Sequence, residues 1–394
     1  NYNVLIGGSI ATGSMNDANH NVAVGSDALQ DITSGDNNVA IGSSALLNIT
    51  SGERNVVIGR QAGQAMTTAN RNTAVGYQAL YSEDADGDRT IAIGHQALYS
   101  QNGDTEAMGN TAVGYISGFY NVTGTNNTYM GYGSGGSGAG STNSHSDNTG
   151  IGYKSLEGVT TGGENVALGS LSGQYNQTGN RNTYVGYASG LGASGNSNSS
   201  NVGLGYFTLK DITTGGANTV VGAFAGDVVT TQDSLTLVGK DAGSSINHND
   251  ANGTTAIGAG SLALLTNGRQ NTAVGYGALE TTANGDRNTA VGHLALGNVT
   301  GGNDGDNTGI GHNAGHDGTN DLTSGTKNTL IGSSTRVSSA TAVNQTVIGY
   351  NAIGAGDNSV VLGDSDVSAV LCASDGEAQL YASAIRFPAT QVAN

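Results

Sequence analysis

One alternation of apolar and polar positions returns twenty-one times along the chain and ends each time on a glycine, from Gly7, Gly25, Gly42 and Gly59 to Gly332, Gly349 and Gly363. Most intervals between these glycines are 17 residues. Asn stands four residues before the glycine in sixteen of the units. Aliphatic residues or Thr stand three and one before it, as in Val39 and Ile41 or Val56 and Ile58, with a small residue between, commonly Ala (Ala23, Ala40, Ala74). Such period-two alternation predicts a strand of about five residues. Its β-branched positions face one side, and Asn, Ala and Gly face the other.

A second apolar stretch follows three and four residues after each glycine, as Ala28-Leu29, Ala45-Leu46, Ala79-Leu80 and Ala278-Leu279. A turn glycine recurs seven residues before the next unit, for example Gly35, Gly52 and Gly87, where a positive φ is needed. One coil is therefore expected to be strand, bend, short strand, turn. A unit this short can bury its apolar side only against its neighbours, which is the logic of a solenoid. The expected fold is an all-β repetitive parallel β-roll or β-solenoid running over residues 1–363, with residues 364–394 as a C-terminal junction segment. At a strand spacing of about 4.8 Å, the coils make a rod on the order of 100 Å long. Asn in the same place in successive coils predicts a structural amide ladder through Asn21, Asn38, Asn55, Asn72, Asn165, Asn182, Asn271 and Asn288.

Composition narrows the class. Gly at 66 residues with a single Pro excludes collagen, and disorder would not keep the aliphatic positions in register. Thirty acids against thirteen Lys and Arg give a net charge of −17, which leaves no footprint for nucleic acid. One cysteine, Cys372, excludes an internal disulfide framework and a thiolate zinc site. No apolar stretch is long enough for a membrane span, so no membrane insertion is expected. Asn3-Val4-Leu5-Ile6-Gly7 is already mid-repeat, so the chain is expected to be a fragment or a processed product. The Ala/Gly face of a 17-residue coil is apolar and needs cover; three rods side by side would supply it, and a homotrimer is inferred.

Chemistry-bearing residues are sparse. Tyr follows the glycine at Tyr77, Tyr115, Tyr132, Tyr153, Tyr187, Tyr206, Tyr276 and Tyr350, and His does so at His95, His293 and His312. Stacked coils would align them in a stripe, either a ladder sealing a corner or a surface for carbohydrate. Interruption of the stripe by Ser, Lys and Ala favours the ladder. Arg54, Arg71, Arg89, Arg181, Arg287 and Lys327 precede the Asn position as turn residues, often after an acid. Asp84-Ala85-Asp86-Gly87-Asp88 and Asn303-Asp304-Gly305-Asp306 have alternating carboxylates like a calcium loop. An EF-hand would need Glu where His95 stands, so that reading fails; Asp-Gly turn chemistry is the expectation for both, with calcium in an extended turn as the alternative. There is no nucleophile motif, phosphate loop or cofactor signature, and neither enzymatic activity nor a cofactor is expected. The unit swells at residues 133–141, 193–200, 248–254 and 312–320, where solenoid insertions often carry binding.

Asn37-Asn38-Val39-Ala40-Ile41-Gly42 and Asn358-Ser359-Val360-Val361-Leu362-Gly363 resemble the Asn-x-Val-Ala-Ile-Gly head repeat of trimeric autotransporter adhesins. The 17-residue form, as in Asn72-Thr73-Ala74-Val75-Gly76-Tyr77-Gln78-Ala79-Leu80-Tyr81, is similar to repeats of phage tail fibres. The resemblance implies a left-handed parallel β-roll in a homotrimer. The segment from Asp364 through Val370-Leu371 to Ile385-Arg386-Phe387-Pro388 resembles the junction that leads to a tip or chaperone domain in tail fibres. The expected function is thus a structural, extracellular fibre shaft of a virion. Its expected partners are further appendage proteins and a host glycan or protein met through a tip outside this chain. The alternatives are the head of a bacterial surface adhesin and a monomeric solenoid binding polysaccharide or ice. The last would require an unbroken array of one side chain, for which the Thr positions read as too irregular.

Overall fold

The computed structural model describes residues 2–84, 87–103, 108–136, 143–300 and 305–370. Twenty-one strands of three residues each, from β1 (Val4–Ile6) to β21 (Val360–Leu362), form one parallel sheet. Each strand pairs in register with the coil before and the coil after, so that Ala23 lies on Ala40, Ala40 on Val57 and Val57 on Ala74. The molecule is an all-β parallel solenoid. A single 3-10 turn, Asn249–Ala251, is the only helical element among the described residues.

The strands are shorter than the alternation predicts, and the second strand is absent among the described residues. The Ala-Leu stretch is instead a tight turn, because its Leu residues take left-handed backbone angles: Leu29 (φ 51°), Leu46 (φ 50°), Leu80 (φ 52°) and Leu279 (φ 52°). A left-handed residue cannot continue a pleated strand. Each such Leu costs on the order of 1–3 kcal/mol of backbone strain, held by its full burial. The turn glycines Gly35, Gly52 and Gly87 do not take the positive φ expected of them, whereas the closing glycines do. Gly76 sits at φ 139°, and a Cβ there would lie 2.3 Å from the carbonyl oxygen of Gly94 in the next coil. No other residue fits that approach.

The interior follows from the strand faces, and here the expected exposure is reversed. The Ala column (Ala23, Ala40, Ala74, Ala92, Ala112) is fully buried inside the coil, not on a face that needs an outside partner. Leu29, Leu46 and Leu80 from the corner and Ile32, Ile49 and Met66 from the third side complete the core. What looks outward is the β-branched pair, with Ile41, Ile58, Ile93, Ile151 and Ile257 exposed. The strand thus gives one residue, most often Ala, to the interior, and the corner and third side supply the larger apolar groups.

Core volume is balanced in most coils. Where the strand centre is Ala, the corner is usually Leu, as in Ala40/Leu46, Ala74/Leu80 and Ala273/Leu279; Ala112/Gly118 and Ala167/Gly173 depart from this, and there the ring of Tyr129 or Tyr184 from the next coil lies beside the glycine. Where the centre is large, the corner is Gly in five coils, Val57/Gly63, Tyr129/Gly135, Tyr184/Gly190, Val220/Gly226 and Leu237/Gly243, while the end coils of Leu5, Leu330 and Val347 carry Ala11, Arg336 and Ile353 there. A Cβ on Gly135 would meet the Tyr129 ring at 2.1 Å, and one on Gly190 would meet Tyr184 at 2.4 Å. Close packing at native density leaves no slack for both partners to be large.

Candidate functional site

The Asn column lines the inside of one turn. Asn21, Asn38, Asn55, Asn72, Asn165, Asn182, Asn271 and Asn288 are all buried. Asn38 illustrates the repeating unit. Its backbone N–H donates to Asn21 Oδ1 at 2.8 Å, and its Nδ2 donates to Asn21 Oδ1 at 3.2 Å and to the Gly52 carbonyl at 2.8 Å. Asn55 repeats the pattern on Asn38, Asn182 on Asn165 and Asn288 on Asn271. Each amide closes its own turn and one rung of the stack, and all its polar atoms are used internally. Thr90 interrupts the column and has no amide. Gln101 fills the gap, donating to Thr90 Oγ1 at 3.0 Å and accepting from Asn110 Nδ2 at 2.9 Å.

The aromatic stripe lies on the surface, directly after the outward strand face. Tyr77, His95, Tyr115, Tyr132 and Tyr153 form one continuous stack with centroids 4.9–5.4 Å apart. Tyr187 stacks on Tyr206 at 5.5 Å, and Tyr276, His293 and His312 make a third run. Ring faces inside these runs are covered by their neighbours, so the edges and hydroxyls meet solvent. The five-ring run is flanked by cations at both ends, with Arg60 over Tyr77 at 5.9 Å and Lys154 over Tyr153 at 5.7 Å. A sugar has no free aromatic face to lie on within the run. A second, shorter stack, Tyr81–Tyr99–Phe119, runs beside it at 4.9–5.0 Å and was not singled out from the sequence. Its signal was there, since all three residues stand five after a column glycine.

The outward strand face is the largest repetitive surface. In the N-terminal coils it is wholly aliphatic, with Val22, Val39 and Val56 beside Val24, Ile41 and Ile58. From Thr219 onward its first position is Thr in eight successive coils: Thr219, Thr236, Thr255, Thr272, Thr289, Thr308, Thr329 and Thr346. Strand register places each Thr on the next, so the array judged irregular from the sequence is unbroken over this stretch. Val or Ile accompanies every one at the second outward position.

Three swollen coils turn inward. The one after Gly131 brings His145 to the core, where its Nδ1 lies 2.8 Å from the Tyr129 hydroxyl. The one after Gly186 brings Asn198, whose Oδ1 accepts from the Tyr184 hydroxyl at 2.6 Å. Residues 248–254 seat Ala251 in the core through the 3-10 turn. Residues 312–320 lie under Asp321, which accepts from the backbone of Asp317 and Gly318. The buried tyrosines explain the first two: a phenol in place of Ala needs a hydroxyl partner, and a longer coil supplies it. Burial pushes both phenols up, Tyr129 and Tyr184 alike, and lowers His145 to about 4. Residues 137–141 of the first insertion lie outside the described residues.

Two carboxylates of the calcium-like stretches are engaged by the chain itself. Asp88 accepts from the Asn70 backbone and faces Arg71 at 3.8 Å, and Asp306 holds Arg287 at 2.7 Å. Residues 85–86 and 303–304 lie outside the described residues, as do Cys372 and most of the junction segment. Among the described residues, no group of three His, Cys, Asp or Glu could hold a metal ion. No helix among them is long and apolar enough to cross a membrane. No protein-family model matches the chain, and no curated protein matches it.

Proposed function

We propose that the chain is the shaft of an extracellular fibre, a homotrimer that holds a receptor-binding tip away from a virion. One observation carries this reading: a single sheet of in-register coils with a continuous, uncharged outward face. That face is roughly 100 Å long and about 10 Å wide, from strand spacing and rise. On the order of 1,000 Å² then lies on one side of each rod, a little more than the roughly 800 Å² that each partner buries in a stable interface, and a trimer divides it between two neighbours. In this trimer the rods would meet through the Thr/Val-Ile face, because the Ala column is internal. Parallel coils supply stiffness along the axis, and joining three of them protects the sheet face from water.

The test is immunogold labelling with an antibody raised against the chain. Label along a thin appendage between particle and tip supports the shaft. Label on a bacterial envelope instead supports the adhesin head and overturns the virion reading. A second reading has one observation in its favour. The eight-coil Thr array is the regular exposed lattice that an ice- or polysaccharide-binding solenoid would use, and it requires the face to be free in a monomer. Light scattering separates the two.

A further inference from the structure

Wherever coil register sets one surface phenol above another, the two rings meet. Tyr115 and Tyr132 lie 5.1 Å apart with planes 12° from parallel, and Tyr132 and Tyr153 lie 5.4 Å apart at 26°. Tyr187 and Tyr206 lie 5.5 Å apart at 17°. All five are between 44% and 49% exposed, so an oxidant in solution reaches their edges. The chain contains no Trp, so no indole competes for an electron hole along the rod. Tyr129 and Tyr184, by contrast, are fully buried.

We infer that the stacked surface pairs are sites of oxidative covalent stapling, in which adjacent coils are joined by a dityrosine bond. A peroxidase-class oxidant removes one electron from each phenol, and each hydroxyl proton leaves to water. The two phenoxyl radicals join through the ring carbons ortho to oxygen. The ortho hydrogens then move to the oxygens, which restores two phenols on one biaryl. The net loss is two electrons and two protons per bond, and the electrons reduce hydrogen peroxide to water. The rings must swing from stacked to biaryl, which their exposure allows. Tyr132 couples to Tyr115 or to Tyr153, while Tyr187 has Tyr206. Each bond closes a loop of 17 to 21 residues, so neighbouring coils can no longer separate when the rod opens. The inference does not depend on the fibre reading, since both rings of every pair belong to one chain.

The test uses the full chain, dilute, with a haem peroxidase and hydrogen peroxide, read by dityrosine fluorescence and by tandem mass spectrometry of tryptic peptides. Peptide 90–154 carries Tyr115, Tyr132 and Tyr153 beside Tyr99, Tyr120 and Tyr129, and peptide 182–210 carries Tyr187 and Tyr206 beside Tyr184, so fragment ions must place each link. Each is expected to lose two hydrogens and to give no fragments between the linked rings, on chains that still run at single-chain mass. Oxygen added at the exposed Met130 is a separate and distinguishable product. Tyr206→Phe should abolish the link in 182–210 while leaving that in 90–154, and Tyr132→Phe should do the reverse. Tyr175 and Tyr350 are exposed without an aromatic neighbour among the described residues and should form no internal link. Links found only between chains, phenol loss without internal links, or a surviving link in 182–210 of Tyr206→Phe would each overturn the proposal.

Discussion

The coil around Ala74 and the coil around Tyr129 fill the same cross-section with opposite residues. In the first, a small strand centre meets a large corner, Leu80, and 18 residues separate Gly76 from Gly94, against 21 from Gly131 to Gly152. In the second, a phenol fills the centre, the corner shrinks to Gly135, and the next strand opposite it carries Gly150. The corner residue three after the column glycine is Ala28, Ala45 and Ala79 in the first region. It becomes Ser117, Ser134, Ser155, Ser172, Ser189 and Thr208 in the second, and Ser134 and Ser155 bond at 2.8 Å. The insertion that follows Tyr129 is thus answered from inside the rod by a hydroxyl needing a partner. Length variation in this solenoid is tied to core chemistry as well as to the surface.

The sharpest way to break the comparison is to remove what both regions share. Gly94→Ala adds a Cβ 2.1 Å from the Gly114 carbonyl oxygen, in either region an impossible approach. Urea melts should show a loss of more than about 3 kcal/mol; a loss under about 1 kcal/mol would show that neighbouring coils can part without cost.

Next come changes that act on one region alone. Tyr129→Ala should cost about 3–5 kcal/mol, through a cavity and an unpaired His145, measured by the same melts. In the regular region, Ala74→Leu should cost about 1–3 kcal/mol by overpacking. Adding Leu80→Gly should restore part of that loss, which a double-mutant cycle reads as coupling. Independent effects of the two changes would contradict volume conservation within a coil.

Acidification separates the regions without mutation. Burial holds His145 near 4, below its usual 6.5, so the fold favours the neutral ring. That stabilisation is complete above pH 6.5 and is lost as pH falls from 6.5 towards 4, amounting to about 3 kcal/mol. Among the described residues no hydrogen-bond partner meets the buried Nε2, and the nearest carboxylate in sequence, Asp147, is exposed. Amide exchange at pH 4.5 should therefore quicken first in the coils around Tyr129 and little around Ala74; uniform quickening would argue against His145. The smallest effect belongs to the turn edge. Arg287→Gln releases Asp306, which Arg287 holds below the usual carboxylate range. The exposed pair should change stability by less than about 1 kcal/mol.

Much of this was legible in the chain. The glycine spacing gave the coil, and the Asn column gave the amide rungs, because both depend on contacts between identical positions. Alternation alone did not say which strand face closes inward, because either face is apolar enough to be buried and the inward centre takes Val57, Leu237 and Tyr129 as well as Ala. The second strand failed because Leu29 and its equivalents adopt left-handed angles, which apolarity does not reveal. Tyr129 and Tyr184 were missed beside the more frequent surface tyrosines, although their pairing with Gly135 and Gly190 was visible in the sequence.

The assignment of the Thr/Val-Ile face as the contact between copies is tested most directly by solution mass from light scattering. The chain is compared with a variant carrying Ile257→Asp, Val274→Asp and Val291→Asp on that face. The account predicts three times the 39.1 kDa chain mass for the unaltered rod and the single-chain mass for the variant. An unaltered rod at single-chain mass, or a variant that still trimerises, would contradict it.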